Sequence, residues 1–124
     1  NMGLNFTNIV DNNGLDRLGK ATKNNKLTID SIFGIGITRN VEGLFFNVID
    51  IINKNSKSIL SIDIPSGLDG DTGKVLGIAV KANKTVTFHR MKNGLTENKD
   101  YTGDIIVADI GIPNKATEFV VGEK

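Results

Sequence analysis

The stretch that decides the fold is Ser58-Ile59-Leu60-Ser61-Ile62, running straight into Asp63-Ile64-Pro65-Ser66-Gly67-Leu68-Asp69. The first five residues have little polar alternation, as expected of a strand covered on both faces. The following seven keep neither helical nor strand periodicity and read as a loop. Upstream, Leu27-Thr28-Ile29-Asp30-Ser31-Ile32-Phe33 repeats the pattern: an apolar run that closes on Gly34 and Gly36. Between the two runs a helix fits residues 41–53. Its apolar stripe is Leu44, Phe45, Val48, Ile51 and Ile52. Strand, helix, strand, with strands this apolar, predicts a parallel pair joined by a right-handed crossover. The fold class expected is α/β, a three-layer αβα parallel sheet.

Working outward, Asp11-Asn12-Asn13-Gly14 reads as a helix start with Asn13 as its cap, and Asn24-Asn25 as a left-handed close. Residues 5–10 read as a short strand. Downstream, residues 85–89 and 104–109 read as strands, residues 91–101 as a polar loop, and Gly111-Ile112-Pro113 as a stop. Open parallel sheets usually hold more strands than these and need helices on both faces. Elements from an amino-terminal part are therefore expected to be missing, and Met2 is not the first residue, as in a tagged chain or a piece of something longer.

Composition narrows the function. The chain has 124 residues, about one domain. Fifteen Lys and Arg against 14 Asp and Glu leave a net charge of +1. Nucleic-acid binding of the ordinary electrostatic kind is excluded, since it needs a clustered positive excess. With 39% hydrophobic residues there is enough for a core. The absence of cysteine removes disulfides, thiolate nucleophiles and Cys-ligated zinc. It fits a reducing compartment, the cytoplasm. No apolar run approaches the roughly 20 residues of a membrane span, and no signal-peptide pattern is present.

In an open α/β sheet, ligands bind beyond the carboxyl ends of the strands. Two segments fall there. In Gly34-Ile35-Gly36-Ile37-Thr38-Arg39-Asn40 the glycines would let backbone N–H groups approach a phosphate, with Arg39 adding a charged contact. The alternative is a tight turn that needs glycine for steric reasons alone. In the other segment, Asp63 beside Ser66 reads either as a general acid/base or as a carboxylate capping its own turn. Asp30, inside a strand, is costly to bury unless paired or bound to a cation. With Ser66 it could supply oxygens to a hard cation, or it could simply hydrogen-bond a neighbouring loop. His89, the lone histidine, reads as a surface or satisfied residue. Asp69 and Asp71 resemble half a calcium loop but read better as a solvated turn.

Taken together the chain resembles the YjeF amino-terminal domain family, the NAD(P)H-hydrate epimerases. The matching stretches are Asp30-Ser31-Ile32-Phe33-Gly34-Ile35-Gly36, Asp63-Ile64-Pro65-Ser66-Gly67-Leu68-Asp69, Thr85-Val86-Thr87-Phe88, Lys92-Asn93-Gly94-Leu95, and Tyr101-Thr102-Gly103-Asp104 through Asp109-Ile110-Gly111-Ile112-Pro113. The resemblance implies a Rossmann-like domain that interconverts R and S hydrated NADH or NADPH in nucleotide repair, with a potassium ion in the site. It implies potassium ligands at Asp30 and Ser66. It implies substrate contacts at Gly34, Ile35, Gly36, Ile37, Thr38, Arg39, Asn40 and Asp63. Asp63 is the expected catalytic acid/base, and a homo-oligomer is expected.

Two departures stand out. Ile35 replaces the usual threonine of Gly-Thr-Gly. The family's Asn-Asn-Gly-Gly-Asp-Gly loop is absent, so residues 1–124 read as one partial domain whose activity alone is in doubt. The tail Phe119-Val120-Val121-Gly122-Glu123-Lys124 reads as a linker into a dehydratase domain resembling a sugar kinase. The competing function is a non-enzymatic YjeF-like scaffold, against which a buried carboxylate pair at Asp30 and Asp63 would count.

Overall fold

The structure, a computed structural model, describes residues 3–113. The expected linker at residues 119–124 lies outside the described residues. The elements run α1 (Asn12–Asn24), β1 (Thr28–Asp30), α2 (Gly43–Asn55), β2 (Ile59–Ile62), β3 (Lys84–Phe88), α3 (Asn93–Glu97), α4 (Lys99–Thr102) and β4 (Asp104–Ala108). The four strands form one sheet in the order β1-β2-β3-β4, with every pair parallel. Thr28, Ile29 and Asp30 stand opposite Ile59, Leu60 and Ser61. The expected pairing of the two deciding strands is thus observed, with α2 crossing between them.

Paired residues of a parallel ladder share a face, so register sorts the side chains. One face carries Asp30, Ile59, Ser61, Thr85 and Thr87, all buried. Against it sit the apolar stripe of α2 (Val48, Ile49, Ile52) with Val80 and Ala82, and a second cluster of Ile64, Leu68, Ala79 and Leu95. Leu15 and Leu18 of α1 pack onto the first cluster, so α1 rides on α2. The other face carries Ile29, Leu60, Ile62, Val86, Phe88 and Ile106, and none of these is buried. Ile29 is 58% and Ile106 47% exposed. Among the described residues, one outer layer of the αβα sandwich is in place and the opposite face is open.

Four local expectations need correction. Residues 5–10 form no strand among the described residues, and Leu4, Phe6 and Val10 are exposed. Helix α1 is capped by Asp11, not Asn13: the Asp11 carboxylate accepts from the Gly14 N–H at 2.9 Å. It closes through an extended Asn25 rather than a left-handed one. The polar loop at 91–101 contains α3 and α4. Tertiary contacts rather than periodicity make these turns. Leu95 is fully buried, and the Thr85 hydroxyl donates to the Thr102 carbonyl at 2.7 Å.

Candidate active site

Because all four strands are parallel, the segments after β1, β2 and β3 share one edge of the sheet. Asp30 closes β1 and is 1% exposed. Burying a lone carboxylate is expensive, and four donors meet the cost. Oδ2 accepts from the Ser61 hydroxyl at 2.7 Å and the Ser66 N–H at 2.8 Å; Oδ1 accepts from the Ser66 hydroxyl at 2.5 Å and the Ile32 N–H at 3.4 Å. The Ser66 hydroxyl also accepts from the Phe33 N–H at 2.9 Å. Asp30 and Ser66 are therefore brought together as expected, and they bind β1, β2 and the loop after β2 into one knot. The loop can turn so tightly because of Gly67, at φ 90°. A Cβ there would collide with the Ile78 carbonyl.

Gly34, Gly36, Ile37, Arg39 and Asn40 line a cavity of about 660 Å³, completed by Ile32, Phe33, Val41, Glu42 and Phe45. Phe33 and Phe45 meet with ring centroids 4.9 Å apart. The steric reading of the two glycines fails: neither has a positive φ, and a Cβ on either would meet nothing within 4 Å. The space beside their backbone is open, as a closely approaching ligand requires. Ile35 and Thr38 are exposed on the same loop and are not among the cavity's lining residues.

Asp63 follows β2 at φ 69°, a left-handed conformation that costs about 1 kcal/mol or more for a residue with a Cβ. It is half-buried, not buried like Asp30, and it does not line the cavity. The expected buried pair of carboxylates is thus one buried and one accessible. Nor does Asp63 cap its own turn. Its Oδ1 accepts from Lys92 Nζ at 2.7 Å, the Thr87 hydroxyl at 3.1 Å and the Phe88 N–H at 3.3 Å. Burial acts to raise this carboxyl. The Lys92 hydrogen bond, the Phe88 N–H, the Lys92 charge and the Thr87 hydroxyl outweigh it and hold the group below its ordinary value. Asp63 is therefore ionised at neutrality.

Sequence reasoning gave Lys92 no role. The signal was Gly94-Leu95 inside an otherwise polar stretch, a pair that marks a buried anchor. Asp69 forms the expected solvated turn, accepting from the Asp71 and Thr72 N–H groups at 2.9 and 2.8 Å. No group of three His, Asp or Glu side chains among the described residues is placed to hold a metal. No helix among them is long and apolar enough to cross a membrane.

Comparison with known proteins matches residues 5–94 to the family described as YjeF-related protein N-terminus. An NAD(P)H-hydrate epimerase of Limosilactobacillus reuteri is 44% identical over 106 residues, covering 84% of this chain and 48% of that protein. One of Lentilactobacillus buchneri is 50% identical over 92 residues, 71% of this chain and 43% of that protein. A bifunctional NAD(P)H-hydrate repair enzyme of Methanothermobacter thermautotrophicus is 45% identical over 95 residues, 76% of this chain and 18% of that protein. The chain spans about half the length of the single-function relatives it matches. With the parallel sheet and the residues at its carboxyl edge in place, the chain belongs to the YjeF-related N-terminal domain family.

Proposed function

We propose that this chain forms the proton-transfer part of an NAD(P)H-hydrate epimerase domain, acting on hydrated NADH or NADPH. The observation that carries the reading is Asp63. It is an ionised carboxylate in a left-handed backbone conformation, with its three donors on one oxygen, at the same sheet edge as a glycine-lined cavity. Strain of that kind persists where the surroundings over-determine it, commonly at functional sites.

The substrate carries a hydroxyl on the carbon next to the ring nitrogen. The nitrogen lone pair forms a C=N bond as the C–O bond breaks, and protonated Asp63 gives its proton to the departing oxygen, which leaves as water. Water then adds to either face of the iminium ion while the Asp63 carboxylate takes its proton. No net proton is consumed, and one group serves both steps. The carboxylate is the resting form and the base of the addition step; expulsion draws on its minor protonated fraction, so kcat/KM falls as pH rises above a pKa held below the ordinary carboxylate value. Gly34 to Asn40 supply backbone donors and the Arg39 charge to the nucleotide's phosphates.

The chemistry of Asp30 and Ser66, hard oxygens around one negative charge, suits potassium. Two side chains are fewer ligands than such an ion takes, so substrate, water or backbone oxygens would complete the shell. When bound, the ion would neutralise substrate oxygens. The open sheet face supports the reading of residues 1–124 as part of a larger domain, with a further polypeptide layer packed on Ile29 and Ile106. The protein is proposed to act in the cytoplasm as a homo-oligomer.

The test is to separate the two epimers of hydrated NADH by chromatography and incubate each with the protein at its full natural length. Interconversion well above the buffer rate is expected. A rate equal to buffer alone would refute the proposal.

A further inference from the structure

Lys92 lies immediately before α3, and its side chain is 23% exposed. A surface lysine ordinarily keeps its ammonium in water. Here the ammonium is drawn inward and all three of its donors are engaged: Asp63 Oδ1 at 2.7 Å, Thr87 Oγ1 at 2.8 Å and the Phe88 carbonyl at 3.0 Å. The backbone that delivers it is fixed. Gly94 packs so closely on the loop after β2 that a Cβ would collide with the Asp69 carbonyl and the Gly73 nitrogen. The Gly94 N–H donates to the Gly70 carbonyl at 2.8 Å and the Leu95 N–H to the Lys92 carbonyl at 3.1 Å. Leu95 is locked among Ile64, Leu68 and Ala79.

We propose that Lys92 is the positioning residue of Asp63, pinning Oδ1 so that Oδ2 is the oxygen that exchanges the proton with substrate. The proposal rests on the acid/base reading of Asp63. All three donors to Asp63 fall on Oδ1, and two of them, Lys92 and the Thr87 hydroxyl, are themselves bonded to each other. The carboxylate is thereby held in one rotation about Cβ–Cγ, and the proton always passes through the same oxygen, whichever face of the ring reacts. The charged group acting on Asp63 is Lys92; β3 presents the uncharged Thr87 hydroxyl and Phe88 N–H. Lys92 thus sets orientation and ionisation together, and the orientation is the part that a lysine only stabilising the fold would not supply.

The test uses Lys92→Met, Lys92→Arg and Asp63→Asn in the protein at its full natural length. On the acid side of both pH profiles, where Asp63 is protonated with or without Lys92, Lys92→Met is expected to lower kcat about ten- to a hundredfold, the scale of a misplaced catalytic group, with KM little changed. The pH at which kcat/KM falls should move upward. An NMR titration of the Asp63 carboxyl carbon should move upward with it, and this readout does not depend on activity. Lys92→Arg, which keeps a charge and donors, should restore most of both. If Lys92→Met does not fold, Lys92→Gln is titrated on the same criterion. An unmoved titration and pH profile, with Asp63→Asn inactive, would overturn the Lys92 proposal alone. Full activity in Asp63→Asn would instead overturn the acid/base reading beneath it.

Discussion

Asp30 and Asp63 close neighbouring strands of one sheet, yet the fold treats them oppositely. Asp30 is sealed, and donors occupy both of its oxygens. Asp63 stays half-accessible, and its donors crowd one oxygen. A carboxylate sealed in the protein with donors on both oxygens braces structure first, whatever cation it also holds. One held on a single side keeps a working oxygen. Residue type and position after a strand do not separate the two cases; the partners do.

The comparison can be broken at several points. Asp30→Asn turns an amide N–H₂ toward groups that are themselves donors. Urea unfolding should show a loss of about 3 kcal/mol, the upper end for hydrogen bonds to a buried charge. A loss under about 1 kcal/mol would mean Asp30 is no brace. The effect should appear as instability before it appears in any cation requirement. Ser61→Ala removes one donor to Oδ2 and leaves three to the carboxylate, so about 1 kcal/mol is expected on the same curve.

The smallest effect is the acid response. Asp63 is lowered when folded, so its contribution to stability is present above the unfolded value, about 3.9, and is lost as pH falls through the folded one. Between pH 7 and pH 3, Lys92→Met should therefore lose less stability than the natural protein. An equal or greater loss would show that the ion pair is not what lowers Asp63.

Much of the frame was legible in the sequence. The apolar runs around Ile29 and Leu60, with the stripe of α2 between them, gave the parallel order and put both acidic loops on one edge. What was not legible depends on distant contacts. Residues 93–102 lack apolar periodicity, and their helical turns exist because Leu95 and Thr102 reach the core and Gly94 fits against a loop some 20 residues upstream. The same contacts bring Lys92 to Asp63, a partnership that spacing could not reveal. Leu4, Phe6 and Val10 look like strand residues, but no strand among the described residues pairs with them. Whether Asp30 or Asp63 was the closed carboxylate was equally hidden, because two serines 31 and 36 residues away decide it.

The most direct measurement of the central claim is the epimerisation rate of Asp63→Asn, in protein whose thermal unfolding midpoint shows it folded. The substitution preserves the shape of the side chain and removes the group that takes up and gives back the proton. The account predicts a rate about 10²–10⁴ lower, with the unfolding midpoint nearly unchanged. Turnover close to that of the natural protein would contradict it and leave Asp63, like Asp30, a brace.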